Sequence, residues 1–321
     1  MENRWLEVRT AISPSDSFFN RVRFMALSVR SMSGKYADAI TRVAVGSDEE
    51  PYDLDRHLPW SRELGIEWYW VDREEFSSWK NSGNQYAATI IHRFRPPFAA
   101  QNVLVLDPDA IALKPFDELF ALVSEKPCVA GVMAHKSPWR GSPFKTPSSQ
   151  DHYLAWKILF NKLELDAPQF IHELSGWGIV EDDPGRRLSP VYLNSGAIFA
   201  PGFVFARLWQ SYLDAADAVR DILHTYFHDQ LAFTLALMKE RISYRLLPLR
   251  FNFPNDPLFE QAYPKDAEDI RILHFLRRKV IDRDAIFRNF DSIREFVAKT
   301  GLTGSNEAFR SRIERLLPLA Q

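Results

Sequence analysis

Cysteine is almost absent from this sequence: Cys128 is the single one among 321 residues. No intramolecular disulfide can form, and a zinc cluster built on several thiolates is excluded. A reducing compartment fits that usage, and a cytoplasmic location is expected. An excess of one charge is also lacking. Forty basic residues stand against forty-two acidic ones, leaving a formal net charge of -2. Nothing in that balance draws the chain to nucleic acid or to an anionic membrane. Long apolar runs are missing too: no uninterrupted segment approaches the roughly 20 residues that span a bilayer, so no transmembrane segment is expected. The opening stretch MENRWLEVRT carries charge where a signal peptide needs an apolar core. There is no internal repeat and no low-complexity tract. What is present is a composition, 46 % hydrophobic and 13 % aromatic, that can build a sizeable core and argues against disorder.

Along the first half, strand and helix signals alternate. WLEVRTAIS, from Trp5, reads as a strand, after which Asp16 can cap a helix whose Phe18, Val22, Met25 and Val29 follow a 4-3-4 spacing. Strands are expected from about Ile40 to Gly46 and from Ile66 to Val71, and a helix from Tyr86 to Arg95, stopped by Pro96-Pro97. A strand in NVLVLD, a short helix in FDELFALV and a strand in CVAGVM follow. This alternation argues for an α/β fold, a mostly parallel twisted sheet flanked by helices. Ligands of such sheets bind beyond the carboxyl ends of the strands. From His135 to Pro190 the texture changes to Pro, Ser and Gly, with one helix bearing Tyr153, Trp156, Phe160 and Leu163. So much loop fits a lid or a binding wall. Further strands are read in VYLNSGAIFAPG, YRLLPL and IRILHF, and helices in FVFARLWQSYLDAA and HDQLAFTLALMKE. The C-terminal region is read as helical, with Ile286, Phe290, Ile293 and Val297 again spaced 4-3-4.

The spacing D-x-D occurs three times, so the bare pattern carries little. Asp53 and Asp55 lie in a polar segment and read as solvated turn residues. Asp282 and Asp284 lie in VIDRDAIF, where helix capping is sufficient. Only Asp107-Pro108-Asp109 follows a buried-strand pattern. Asp-Pro is a good turn opener, and a β-turn accounts for the segment. Two carboxylates held together between buried segments also repel, which a divalent cation relieves; hard ions such as Mg2+ or Mn2+ prefer one or two carboxylates together with phosphate oxygens. On these grounds alone both readings stand.

NVLVLDPDAIALKPFDELF resembles the signature of the GT-A fold glycosyltransferases, in particular family 8, the glycogenin and lipopolysaccharide galactosyltransferase family. Three further segments match in the family's order: YLNSGAIFAPG resembles its Asn-Ser-Gly strand, HDQLAFTLAL its Asp-Gln helix, and ILHFLRRKV its C-terminal strand ending in His-Phe with a basic residue nearby. The resemblance covers roughly residues 5 to 280. It implies a single GT-A-like catalytic domain over 1–321: a nucleotide-binding half (1–134), an inserted segment on the acceptor side (135–189), a donor-sugar and acceptor half (190–280) and C-terminal helices (281–321). It also implies metal-dependent transfer, with retention, of a sugar, expected to be a hexose, from a nucleotide-diphosphate donor, foremost a UDP-sugar. The acceptor could be a glycan, a lipid-linked glycan or a protein. By the resemblance Asp107 and Asp109 hold Mn2+ or Mg2+ with His274 as third ligand. Arg278 and Lys279, with Arg277 before them, add positive charge at the departing diphosphate. Asn194, Ser195 and Gly196 line the donor sugar, Gly allowing close approach. Asp229 and Gln230 bond sugar hydroxyls, Asp229 near the reacting carbon. Thr10 to Ser13 face the base, and Tyr86 and Arg93 are candidates for base stacking and phosphate contact. Trp139, Trp156 and Trp177 are candidates for sugar-stacking walls in the insertion.

The sequence departs from the family where HFLRRKV lacks the Gly and the Lys-Pro-Trp that follow His-Phe, and where AISPSD lacks the usual acidic residue after the first strand. Two other readings compete. A haloacid-dehalogenase-type phosphohydrolase would use Asp107 as nucleophile and Asp109 as acid/base, with Glu181 to Asp183 completing a Mg2+ site, but that motif normally lies near the N-terminus. A GT-A domain that binds a nucleotide sugar without turnover is the non-catalytic alternative.

Overall fold

The structure is a computed structural model and describes residues 4–81, 87–134, 138, 151–169, 172–173, 188–222, 225, 227–276 and 281–320. Strands β1 (Arg4–Ile12), β2 (Ile40–Val45), β3 (Ile66–Trp70), β4 (Ala100–Leu106), β5 (Ala110–Ala112) and β6 (Val129–Met133) come first. β7 (His172–Glu173), β8 (Leu188–Ser189), β9 (Leu193–Pro201), β10 (Tyr244–Leu246), β11 (Phe253–Pro254) and β12 (Ile272–His274) follow. The main sheet has seven strands in the order β10-β6-β9-β4-β1-β2-β3. β1 pairs in parallel with β2 and β4, β2 with β3 and β6 with β10, whereas β9 runs antiparallel to both β4 and β6. The expected mostly parallel α/β sheet flanked by helices is what the chain adopts.

β4 ends in an unbroken apolar run, Val103 to Leu106, because both faces of the sheet are covered there. Along β4, Leu104 and Leu106 join one core with Phe24, Met25, Phe116 and Phe120, while Val103 and Val105 join a second with Phe94, Phe205 and Phe233. The period-2 alternation of a strand sends successive side chains into the two layers. The helix at Asp16–Arg30 supplies the first layer, and the helices at Gly202–Ile222 and His228–Lys239 the second. Among the described residues no helix is long and apolar enough to cross a membrane.

Three local differences from the sequence reading have simple causes. The first long helix is capped by Ser15, whose side chain accepts from the Phe18 amide, and Asp16 sits in its first turn, where a negative charge suits the helix dipole. The C-terminal 4-3-4 pattern is split between two helices, Arg283–Ile286 and Phe290–Val297, because Asn289 caps the second through the Ser292 amide. Asp53 is not merely solvated: it caps the short helix Leu54–His57 by accepting from the Arg56 amide. Asp282 caps the helix Arg283–Ile286 as read.

Two features place the site. β9 runs antiparallel beside β4, so its first residues lie at the carboxyl end of β4; Leu106 pairs with Ala197, and the Asp107 amide donates to the Gly196 carbonyl at 3.0 Å. A second sheet, ordered β11-β12-β5, continues from that point. In it His274 of β12 lies opposite Ala110 of β5, one residue after Asp109.

Candidate metal centre

Asp107-Pro108-Asp109 is both a turn and part of a cluster. The Ala110 amide donates to the Asp107 carbonyl at 3.0 Å, closing a four-residue turn between β4 and β5. Both carboxylates converge with the His274 imidazole, and one potential ligand atom from each residue lies within 4.8 Å of the others. His274 Nε2 is 3.1 Å from Asp109 Oδ1 and 3.4 Å from Asp107 Oδ2. An octahedral ion with bonds of about 2.1 Å has ligand-to-ligand edges of about 3 Å, so these spacings suit a small divalent cation. Two carboxylate oxygens and one imidazole nitrogen are also the donor types that Mg2+ or Mn2+ sites use. On spacing and chemistry the residues fit the group.

Each carboxylate divides its two oxygens between the cluster and a guanidinium. Asp107 turns Oδ2 to His274 and Oδ1 to Arg93. Asp109 turns Oδ1 to His274 and Oδ2 to Arg283. Arg93 is 1 % exposed, and a buried guanidinium persists only when paired. Besides Asp107, it meets Asp229 Oδ2 at 2.9 Å and the Ser195 carbonyl at 3.2 Å. The backbone around it is locked from both sides. Tyr69 Oη donates to the His92 carbonyl at 2.6 Å, and Phe94 stacks on Phe233 with ring centroids 4.6 Å apart. Arg283 is carried by a short helix that is itself anchored: Arg21 pairs with Asp284 at 2.7 Å, and Phe287 is fully buried against Phe24 and Phe275.

His274 is held by a polar relay. Its Nδ1 lies 3.0 Å from Asn252 Oδ1; Asn252 Nδ2 donates to Asn194 Oδ1 at 2.9 Å; and the Gly196 amide donates to that same oxygen at 2.8 Å. Burial pushes the His274 imidazole below its ordinary pKa; the Asp107 charge opposes that shift and Arg93 adds to it. Gly196 is required by contact: a Cβ there would stand 2.5 Å from His274 Cε1.

Beside the cluster, Ser195 Oγ donates to Asp229 Oδ2 at 2.9 Å, and the Ser195 amide donates to Gln230 Oε1 at 2.9 Å. Gln230 Nε2 donates to Tyr192 Oη at 2.7 Å, so both polar ends of Gln230 are engaged within the protein. Asp229 lies in the first turn of its helix, which has no side-chain cap, so Asp229 does not serve as an N-cap.

The sequence-expected residues Asp107, Asp109, His274, Arg93, Asn194, Ser195, Gly196, Asp229 and Gln230 thus form one connected network. Thr10 and Ser13 stand apart: among the described residues neither bonds to this network. Thr10 is fully buried, with no hydrogen-bond partner for Oγ1, and Ser13 is exposed at the end of β1. Trp156 is a core residue, 2 % exposed, packed on Phe160 and Tyr192. Tyr86, Arg277, Arg278, Lys279, Trp139, Trp177 and Glu181 to Asp183 lie outside the described residues. Two members were missed. Arg283 stands between the aspartates of the third D-x-D, where attention went to the carboxylates. Asn252 lies in RFNFPND, which carries no recognisable signal.

No protein-family model matches the sequence, and no curated protein matches it. Among solved structures the chain is similar to the galactosyltransferase LgtC in complex with donor and acceptor sugar analogs, at 14 % identity and a TM-score of 0.49, over 84 % of this chain and 87 % of that one. It is similar to mouse xyloside xylosyltransferase 1 at 13 % identity and a TM-score of 0.47, over 85 % and 97 %. It is similar to the glycosyltransferase GlyE of Streptococcus pneumoniae TIGR4 at 12 % identity and a TM-score of 0.48, over 99 % of this chain and 63 % of that one. These structural neighbours are glycosyltransferases, the class that the four ordered motifs resemble.

Proposed function

We propose that this protein is a metal-dependent, retaining glycosyltransferase that moves a hexose from a UDP-sugar or a related nucleotide-diphosphate donor to a glycan, lipid-linked glycan or protein acceptor. The observation that carries the reading is the convergence of Asp107, Asp109 and His274 at the carboxyl end of β4. Asp107, Asp109 and His274 would hold Mn2+ or Mg2+, which supplies positive charge for a departing diphosphate.

The chain's own residues account for the rest. Arg93 and Arg283 offset the carboxylates and orient them, each guanidinium holding one oxygen and leaving the other turned inward. Ser195 and Gly196 bring backbone close to the cluster, where a donor sugar would lie, and Asn194 joins them to His274 through Asn252. Asp229, tied to the cluster through Arg93 and Ser195, would accept from a sugar hydroxyl and lie near the reacting carbon. Gln230 holds the Ser195 amide in place. Arg278 and Lys279 remain the proposed contacts to the diphosphate, and Thr10, Ser13 and Tyr86 those to the base.

The test is a screen of nucleotide sugars with Mn2+ by thermal shift and donor hydrolysis, on the wild type and Asp109→Ala. The expected result is one donor that stabilises the protein and slowly releases its nucleotide, with both effects lost in the variant. Cleavage of a phosphate ester with no response to any nucleotide sugar would overturn the reading in favour of a phosphohydrolase.

A further inference from the structure

The hydrogen bonds behind His274 decide which of its nitrogens can bind a cation, and the decision starts from a backbone amide. The Gly196 N–H can only donate, so the Asn194 atom 2.8 Å away is its carbonyl oxygen. That oxygen faces Asn252 at 2.9 Å, so the Asn252 atom there is the amide nitrogen. Asn252 must then present its oxygen to His274 Nδ1 at 3.0 Å, and an oxygen acceptor requires Nδ1 to carry the proton. The Nε2 lone pair is left facing Asp109 Oδ1 at 3.1 Å and Asp107 Oδ2 at 3.4 Å.

By itself this arrangement is unfavourable: a lone pair directed at two carboxylates repels them, and the opposite tautomer would donate to Asp109 instead. A cation between the three atoms removes the conflict. Reversing the tautomer would turn Asn252 around and leave Asn194 Oδ1 without its second donor in a buried setting, Asn252 being 1 % exposed.

We infer that Asn252 is a positioning residue for the proposed metal site: through Asn194 and the Gly196 amide it locks His274 in the Nδ1–H tautomer, keeping Nε2 as a metal ligand. The inference rests on the metal reading above but can fail separately from it. The ion-binding role of Nε2 depends on this relay because the ligand must be the neutral, lone-pair nitrogen, fixed by what the other ring nitrogen bonds.

The experiment uses the full chain, metal-free, labelled with 15N. Long-range proton–nitrogen correlation at a single pH, with the His274 signals assigned by comparison with His274→Gln, reads the tautomer directly. Mn2+ titration then reads affinity for the wild type, Asn252→Leu and Asn252→Asp. The expected result is an Nδ1–H tautomer in the wild type, lost in Asn252→Leu together with roughly tenfold or more of the Mn2+ affinity, whereas Asn252→Asp, whose carboxylate still accepts from Nδ1 though it no longer donates to Asn194, keeps the tautomer. An Nε2–H tautomer in the wild type overturns the inference without recourse to any variant. So does an Asn252→Leu protein that keeps the wild-type tautomer and binds Mn2+ equally well. If the wild type shows the Nδ1–H tautomer and Asn252→Leu loses it, yet neither takes up Mn2+, the relay is supported and the metal reading falls.

Discussion

Replacing Gly196 with alanine tests how rigidly the imidazole is seated. A Cβ at this position would lie 2.5 Å from His274 Cε1, 2.6 Å from Nδ1 and 2.9 Å from Asn194 Oδ1. Ordinary carbon contacts begin near 3.5 Å, so the overlap with the ring is about 1 Å. Residue 196 itself has little room to retreat: its amide is bonded to Asn194 and its carbonyl receives the Asp107 amide. The ring therefore gives way, at a strain of about 1–3 kcal/mol. Ligand distances at a metal site tolerate only about 0.2 Å, so displacement of Nε2 on that scale is expected to weaken Mn2+ binding about 10- to 100-fold, the range seen when the support of a ligand is removed. The assay is Mn2+ titration by calorimetry, with the thermal midpoint recorded alongside. Gly131→Ala is the control: it sits in β6, where an added Cβ meets nothing closer than Leu193 at 3.5 Å, and it should bind Mn2+ as the wild type does. A Gly196→Ala protein with unchanged affinity would refute the reasoning, because it would mean that His274 moves freely or is not a ligand.

Other perturbations separate the remaining roles. Arg93→Met strands two carboxylates beside a buried site and should destabilise the fold by about 3–5 kcal/mol in urea denaturation, with Mn2+ restoring more stability to the variant than it adds to the wild type; equal metal effects would show that Arg93 does not neutralise the cluster. Asp229→Asn should leave Mn2+ affinity within a few-fold while cutting transfer at least about 100-fold, since Asp229 is not among the three clustered ligands; parallel losses of both would deny it a separate role. His228 provides a stability signature. Burial lowers its pKa from 6.5 to about 4, and its Nε2 lies 2.8 Å from the Ala216 carbonyl while Nδ1 has no partner. Between those values the unfolded chain binds a proton that the folded one refuses, so the stability His228 contributes is complete above pH 6.5 and is lost as pH falls toward 4. The loss amounts to about 3 kcal/mol. His228→Gln should flatten that part of the stability profile, and an unchanged slope would assign it to other groups.

The centre of the sheet was legible where a strand is buried on both faces and reads as an unbroken apolar run; VLVL announces β4 without help from its partners. The carboxylates were legible because they end that run. Harder to read was the direction of β9. Nothing within YLNSGAIFAP distinguishes a parallel from an antiparallel neighbour, yet its reversal brings Asn194 and Gly196 to the carboxyl end of β4. The C-terminal region is helical as read, but the break between its helices was not legible: the 4-3-4 spacing persists across Asn289, and a capping side chain interrupts a helix without disturbing its periodicity.

Arg93, Arg283 and Asn252 show why the cluster's electrostatics resisted the sequence. An arginine in a sequence reads as solvated unless its partners are known, and those of Arg93 lie 14, 102 and 136 residues away. Its burial is a consequence of that pairing, since a guanidinium so enclosed would otherwise be intolerable. Arg283 is farther still from Asp109 in sequence, and the short helix that carries it to the carboxylate is anchored by Arg21 and Phe24 of the first long helix. The local chain thus specified which groups could bind a cation, whereas their readiness to do so depends on residues assembled from four separate segments. The same division explains the choice of perturbations. Substituting a ligand asks only whether the site exists, while Gly196, Arg93 and Asn252 ask whether the surrounding fold has set its geometry, charge and tautomer for one small divalent ion.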